Sequence, residues 1–202
     1  MDLYTKCRNA DFEKIFAKKG YKYFTQGDYN LNIIGVRSDN NNKVTNKYDD
    51  YLVVIYRVNG KEKRNIYNIT TEPGKYYMQT ALGNAKGTAI LVPNQYRGCW
   101  QIGKHRGKYD ALCQKKPVSV YRDKNKDNVY DMNPKTITTG IYGINIHRSN
   151  EFYSRTTVDQ YSAGCQVFTD PTHFRQFMVL CKKQKAIYGN SFTYTLLNEE
   201  DL

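Results

Sequence analysis

The chain has 202 residues, 40% hydrophobic and 25% charged, enough for one substantial core and short for two independent domains. Nineteen Tyr, eight Phe and one Trp supply large apolar surface, which excludes a disordered chain. The net charge of +12 attracts polyanions, but no zinc-finger spacing, RNA-recognition signature or helix-turn-helix accompanies it, so an anionic cell envelope is as good a partner as nucleic acid.

Asp11 to Lys19 places Phe12, Ile15 and Phe16 at helical spacing and stops at Gly20, predicting a short amphipathic helix that packs on the main domain. Leu31 to Val36 reads as a strand and the Asn-rich run Ser38 to Asn42 as a loop. The run YLVVIYRV from Tyr51 is β-branched and aromatic, and it turns at Asn59-Gly60, a dipeptide favoured in two-residue hairpins. Further strand-sized pieces are Ile66 to Thr70, Tyr76 to Thr80, Thr88 to Val92, Val118 to Tyr121 and Gly143 to His147. Their turn chemistry predicts a mostly antiparallel sheet or sandwich.

One long helix follows late in the chain. Asp170 caps it, Pro171 suits its first turn, Phe174, Phe177, Met178 and Cys181 form its apolar stripe, and Gly189 ends it. Phe192, Tyr194 and Leu196 then alternate as a final strand. The expected fold class is mainly β, a main domain over residues 50–202 with an N-terminal helical and strand extension over residues 1–49.

Five cysteines, Cys7, Cys99, Cys113, Cys165 and Cys181, form no CxxC pair, which predicts reduced thiols. The opening MDLYTKCRNADFEK lacks the apolar core of about 7 to 15 residues that a signal peptide carries, and no run approaches the roughly 20 needed to span a bilayer. Synthesis in a cytoplasm and no membrane span are the expectations.

Chemistry concentrates between Gly143 and Asp170. His147 closes a β-like run, and eighteen positions later Cys165 follows Ser162-Ala163-Gly164. Thiol catalysis needs a nucleophile, a base for its proton and N–H groups for the oxyanion. Cys165 is the candidate nucleophile and His147 its base, expected to maintain thiolate well below the ~8.5 of a free cysteine. Gly164 lets a substrate carbonyl approach the backbone, and N–H groups around Gly164 and Cys165 are the candidate oxyanion donors. Ser162 is either a turn-former or a hydroxyl that orients the His or the substrate. The plainer alternatives are a buried inert thiol at Cys165 and a core histidine at His147.

The strand-borne His, the loop and the Ser-x-Gly-Cys turn resemble the catalytic domain of the L,D-transpeptidases, the YkuD-like family. Upstream, Thr71-Glu72-Pro73-Gly74-Lys75-Tyr76 resembles that family's Thr-Pro-x-Gly-x-aromatic hairpin with one residue displaced, and the element order agrees over roughly residues 50 to 197. The resemblance implies a β-sandwich-like catalytic domain without a cofactor. It also implies an acyl-enzyme on Cys165, and bacterial peptidoglycan stem peptide as substrate and partner.

Three positions depart from the family's pattern. Arg148 stands where Gly follows the His, Ala163 where a second His precedes the Gly-Cys, and Val167 where an Arg lies two residues beyond the Cys. Arg148 is the candidate replacement for the lost charge, with Tyr161, Ala163 and His105 as further substrate-binding candidates. His105 lies in a Gly-punctuated, basic and aromatic stretch, Trp100 to Tyr109, read either as a loop over the cleft or as an ordinary surface loop. These departures together with the missing export signal place a lysin, hydrolysing its substrate after lysis or from a virion, slightly ahead of a crosslinking enzyme. A wall-binding or virion-structural protein that keeps the fold is the alternative.

Asp123, Asn125, Asp127 and Asp131 occupy the first, third, fifth and ninth places of an EF-hand-like loop, but Asn128 and Pro134 stand where its Gly and bidentate Glu belong. A solvated turn is the better reading. The three histidines lack metal-ligand spacing, so no metal is expected.

Overall fold

The computed structural model describes residues 1–80 and 86–202. Two short helices open the chain. Asp2 caps α1 (Leu3–Asn9), Asp11 caps α2 (Phe12–Lys19), and Gly20 ends α2 in a left-handed conformation. Sequence reading missed α1, whose only core side chain is Cys7. One buried residue displays no period.

The strands are β1 (Asn32–Arg37), β2 (Asp50–Val58), β3 (Lys61–Thr70), β4 (Thr88–Leu91), β5 (Asn94–His105), β6 (Tyr109–Gln114), β7 (Val118–Asp123), β8 (Thr138–Gly140), β9 (Ile146–Arg148), β10 (Gln166–Phe168) and β11 (Phe192–Asn198). Between them lie α3 (Lys75–Gln79) and α4 (Pro171–Tyr188). Eight strands close into a barrel in the order β1-β11-β5-β6-β9-β10-β3-β2, while β4, β7 and β8 form a separate three-stranded sheet. The chain is therefore mainly β as expected, but its principal sheet closes on itself where a sandwich leaves open edges.

Most pairings are antiparallel, with two exceptions. β1 runs parallel to β11, and β9 runs parallel to β10. The Asn59-Gly60 turn sets β2 against β3 with Val58 opposite Lys61. β1 sits between β2 and β11, so residues 32–37 are barrel wall, and the division at residue 50 falls between two paired strands.

Two expected strands differ. The segment from Tyr76 is the helix α3, started at Gly74 after Pro73, and a five-residue run with one buried side chain, Met78, cannot display which period it follows. The strand expected from Gly143 begins only at Ile146. Upstream, the Tyr142 and Ile144 N–H groups donate to the side-chain oxygen of Gln114 instead of to a neighbouring strand.

The main core gathers Trp100, Phe168, Phe177, Phe192 and Tyr194 with the apolar stripe of α4. Asp170 caps α4 by accepting from the Thr172 and His173 N–H groups. The other face of β1, β2 and β11 buries Phe12 and Phe16 of α2 against Ile34, Val36, Val53, Ile55 and Leu197. Among the described residues no helix is long and apolar enough to cross a membrane.

A buried polar knot ties β1, β2 and the end of β3. The Asp50 carboxylate accepts from Ser38 N–H at 2.8 Å, Thr71 N–H at 2.6 Å and Thr71 Oγ1 at 2.9 Å. Arg37 donates to the Thr71 and Leu91 carbonyls and pairs with Glu72 at 3.3 Å. Burial pushes both carboxyls upward, Glu72 further under the charge of Asp50.

Cys181 is fully buried on the stripe of α4. Cys181→Ala is expected to cost on the order of 1 kcal/mol in urea unfolding, because one sulfur's contacts are lost, and to leave Cys165 reactivity unchanged. Unaltered stability would show that the thiol packs against nothing of consequence.

Candidate active site on the parallel strand pair

Cys165 and His147 are brought onto neighbouring strands. Gln166 pairs with Ile146 and Val167 with His147, so Cys165 lies beside Asn145 and one alternation away from His147. Ile146 and Phe168 point into the main core, and alternation turns Cys165, Val167 and His147 to the opposite face.

The turn before Cys165 is held by Ser162. Its hydroxyl accepts from Gly164 N–H at 3.1 Å and donates to the Cys165 carbonyl at 2.8 Å. Ser162 is thus the turn-former of the two roles considered, and the Gly164 N–H is already occupied, which removes it from the candidate oxyanion donors. The Cys165 N–H is the remaining candidate of the two. Gly164 has φ +116°, and a Cβ there would stand 2.3 Å from the Ala89 carbonyl oxygen, so only glycine fits.

The Thr71–Tyr76 segment, separated from Cys165 by some ninety positions, meets this turn directly. Gly74 N–H donates to the Ser162 carbonyl at 2.9 Å, and a Cβ on Gly74 would collide with the Asp159 backbone at 2.1 Å. The segment turns into α3 and does not form the hairpin expected for it.

All five cysteines are free thiols, and four of them are buried. Cys165 is half-buried, and its Sγ accepts from Asn145 N–H at 3.4 Å and lies 3.4 Å from the Gly143 carbonyl. His147 is buried. Its Nδ1 is 2.9 Å from the Arg148 carbonyl, which can only accept, so the proton sits on Nδ1 and the lone pair on Nε2.

Burial pushes the Cys165 thiol up to about 11, opposed by Asn145 N–H and by Arg106. Burial also draws His147 down to about 3, reinforced by neighbouring His105. The two therefore rest as neutral thiol and neutral imidazole, which departs from the low-pKa thiolate expected from sequence.

The remaining candidates take mixed places. Arg148 lays its guanidinium 4.2 Å over the Tyr109 ring and pairs with Glu151 at 3.2 Å, so its charge is partly engaged. Tyr161 and Cys165 both pack against the cluster of Tyr48, Val158 and Val167, and Ala163 is exposed. His105 does not lie on an open loop: it is the last residue of β5, buried, and stacked on His147 with ring centroids 4.1 Å apart and planes at 20°. Sequence reading did not assign Asn145 or Tyr109 to the site, although both lie in stretches it singled out, because only the packing of β5, β6 and β9 brings them together.

A cavity of about 140 Å3 lined by Arg37, Asp39, Glu72, Met132 and Glu199 contains none of these residues. No family model, no curated protein and no solved structure matches the chain.

His105 and His147 are held down at about 4 and about 3 against an ordinary 6.5, so the unfolded chain binds protons that the folded one refuses. Their contribution to stability is complete above about 6.5 and falls as pH drops toward 4. In urea titrations the double variant His105→Gln, His147→Gln is expected to lose stability less steeply than wild type across that window, and equal slopes would refute buried neutral imidazoles.

In the Asp123–Asp131 loop, the Asn125 amide donates to Asp127 at 3.1 Å and Asp131 at 2.9 Å. Among the described residues no group of three or more His, Cys, Asp or Glu is gathered to hold a metal. Added calcium is expected to leave the melting temperature unchanged. An ion present at 100 times its Kd stabilises by about 2.7 kcal/mol, so a shift of several degrees reversed by EDTA would identify a site.

Proposed function

We propose that the protein is a cysteine-dependent acyl-transfer enzyme of L,D-transpeptidase type acting on peptidoglycan stem peptide, with water as the favoured acceptor. The observation that carries this reading is the His147 tautomer on β9, the strand paired with the one that follows the half-buried Cys165: Nδ1 is tied to a carbonyl and Nε2 carries the lone pair, as a general base requires. The contact of the Thr71–Tyr76 segment with the Ser162–Cys165 turn supports it, since the two stretches that carry the family resemblance adjoin in space. The net charge of +12 suits an anionic wall.

In this mechanism Sγ forms a bond to the amide carbonyl carbon as the thiol proton passes to His147 Nε2. The Cys165 N–H faces the oxyanion. Collapse breaks the C–N bond, the imidazolium returns the proton to the departing amine, and a thioester remains on Cys165. Water, deprotonated by His147, then attacks the thioester carbonyl and breaks the C–S bond, releasing the acid and the free thiol. An amine at the same step would give a crosslink. Because the resting pair is neutral, proton transfer accompanies attack instead of preceding it.

The departures bear on the acceptor. Val167, where the family carries Arg, is fully buried against Tyr48 and Val158, so that position serves packing here and offers no clamp for a carboxylate. Water needs no such clamp.

Cys165→Ala is expected to abolish turnover of defined muropeptides, read by product mass, while leaving the melting temperature within a few degrees of wild type. Turnover at the wild-type rate in that variant would end the cysteine mechanism. A folded wild-type protein that neither cuts nor crosslinks muropeptides, and whose Cys165 alkylates no faster than the four buried thiols, would favour the wall-binding alternative.

A further inference from the structure

We propose that His105 is a positioning residue for the Cys165–His147 pair, acting through a hydrogen bond to Asn145 and a ring stacked on His147. The inference rests on the acyl-transfer reading above and assigns a role that no sequence motif suggests.

Asn145 is the hub. Its side-chain oxygen accepts from Gln114 N–H at 2.9 Å, and only an oxygen can accept there, so the amide orientation is determined. The amide nitrogen therefore faces His105 Nδ1 at 3.1 Å as a donor, and His105 is the tautomer protonated on Nε2. The Asn145 backbone N–H reaches Cys165 Sγ at 3.4 Å, and its carbonyl accepts from Gln166 N–H at 2.9 Å. One residue thus connects the tip of the β5–β6 hairpin to the nucleophile, and His105 closes the connection from the hairpin side.

The stacked ring supplies a second restraint. At 4.1 Å between centroids, His105 covers one face of His147 while Tyr109 OH lies 3.5 Å from His147 Nδ1, so the base is confined to one plane. Two imidazoles at that separation cannot both carry charge, and His147 can receive the Cys165 proton only while His105 stays neutral. Of the titratable and charged groups around the stack, Arg106 acts on both imidazoles, Tyr109 packs on the His105 ring with the Arg148 guanidinium over its own, and Cys165 before β10 is influenced by Arg106 and by Cys113 of β6. Arg106 disfavours a charge on His105. Protonation of Nδ1 would set donor against donor at Asn145 and release the hub.

Two substitutions separate the contributions. His105→Asn retains an acceptor near the Nδ1 position without the ring, and His105→Phe retains a ring without the acceptor. The full-length protein is alkylated with iodoacetamide from pH 5 to 9, Cys165 modification is followed by peptide mass, and melting temperatures verify folding.

His105→Phe is expected to slow Cys165 alkylation at pH 7 on the order of tenfold and to change its pH profile, the consequence of a half-buried amide left without its acceptor. His105→Asn should recover part of that loss, and alkylation of Cys113 should be unchanged in both. Wild-type rate and profile in folded His105→Phe, or His105→Asn no faster than His105→Phe, overturns the positioning role. If His105→Phe does not fold, His105→Asn decides: an unaltered pH profile overturns the proposal and an altered one supports it. His147→Gln distinguishes the two levels: a slowed Cys165 beside unaffected His105 variants leaves acyl transfer standing without this role, whereas an unaffected Cys165 in His147→Gln removes the cysteine–histidine pair itself.

Discussion

The site depends on one short parallel ladder. β9 and β10 contribute three residues each, and in parallel register their side chains repeat together, so placing Gln166 beside Ile146 also places Cys165 beside Asn145 and Val167 beside His147. A slip of one residue would turn Cys165 and His147 to opposite faces. So short a ladder cannot hold itself. It is clamped by β3 on one side and β6 on the other, with Val167 opposite Thr70 and Leu112 opposite Ile146. Closure of the barrel is what brings both clamps to bear.

The turn entering that ladder is specified by contacts from distant segments. Gly164 approaches the Ala89 carbonyl from one side, and Gly74 binds the Ser162 carbonyl from another. The second contact is rigid because Thr71, three residues before Gly74, is bound through its N–H and hydroxyl to the fully buried Asp50. Leaving any member of such a network unpaired is costly in a low-dielectric interior, which makes it a stiff mount for the turn that carries Cys165.

Burial shapes the chemistry as much as it shapes the fold. Desolvation raises the thiol and lowers both imidazoles, so every titratable group at the centre of the site rests uncharged near neutral pH. In the proposed mechanism the charges needed for attack are therefore created together, within a bound complex, by one proton moving between two neutral partners. That arrangement protects the thiol from adventitious oxidation, which requires thiolate. The orientation of His147 and the N–H contact at Cys165 consequently matter more than a standing ion pair.

Much of the fold was legible in local patterns. The helix from Pro171 showed its cap, its apolar stripe and its terminating Gly189, and β2 with the Asn59-Gly60 turn showed β-branching and hairpin chemistry, because these are interactions within a few residues. Cys165 and His147 stood out as candidates for the same reason, through the residues beside them. What the tertiary structure decided are relations between segments far apart in the chain: the closed barrel, the parallel register of β9 and β10, the role of Ser162 as a turn-former and the stacking of His105 on His147. His105 and Asn145 lie forty positions apart with no shared motif, and α3 is too short to reveal its period. The titration states belong to the same class, because desolvation is set by everything that packs around a group and not by its neighbours in sequence.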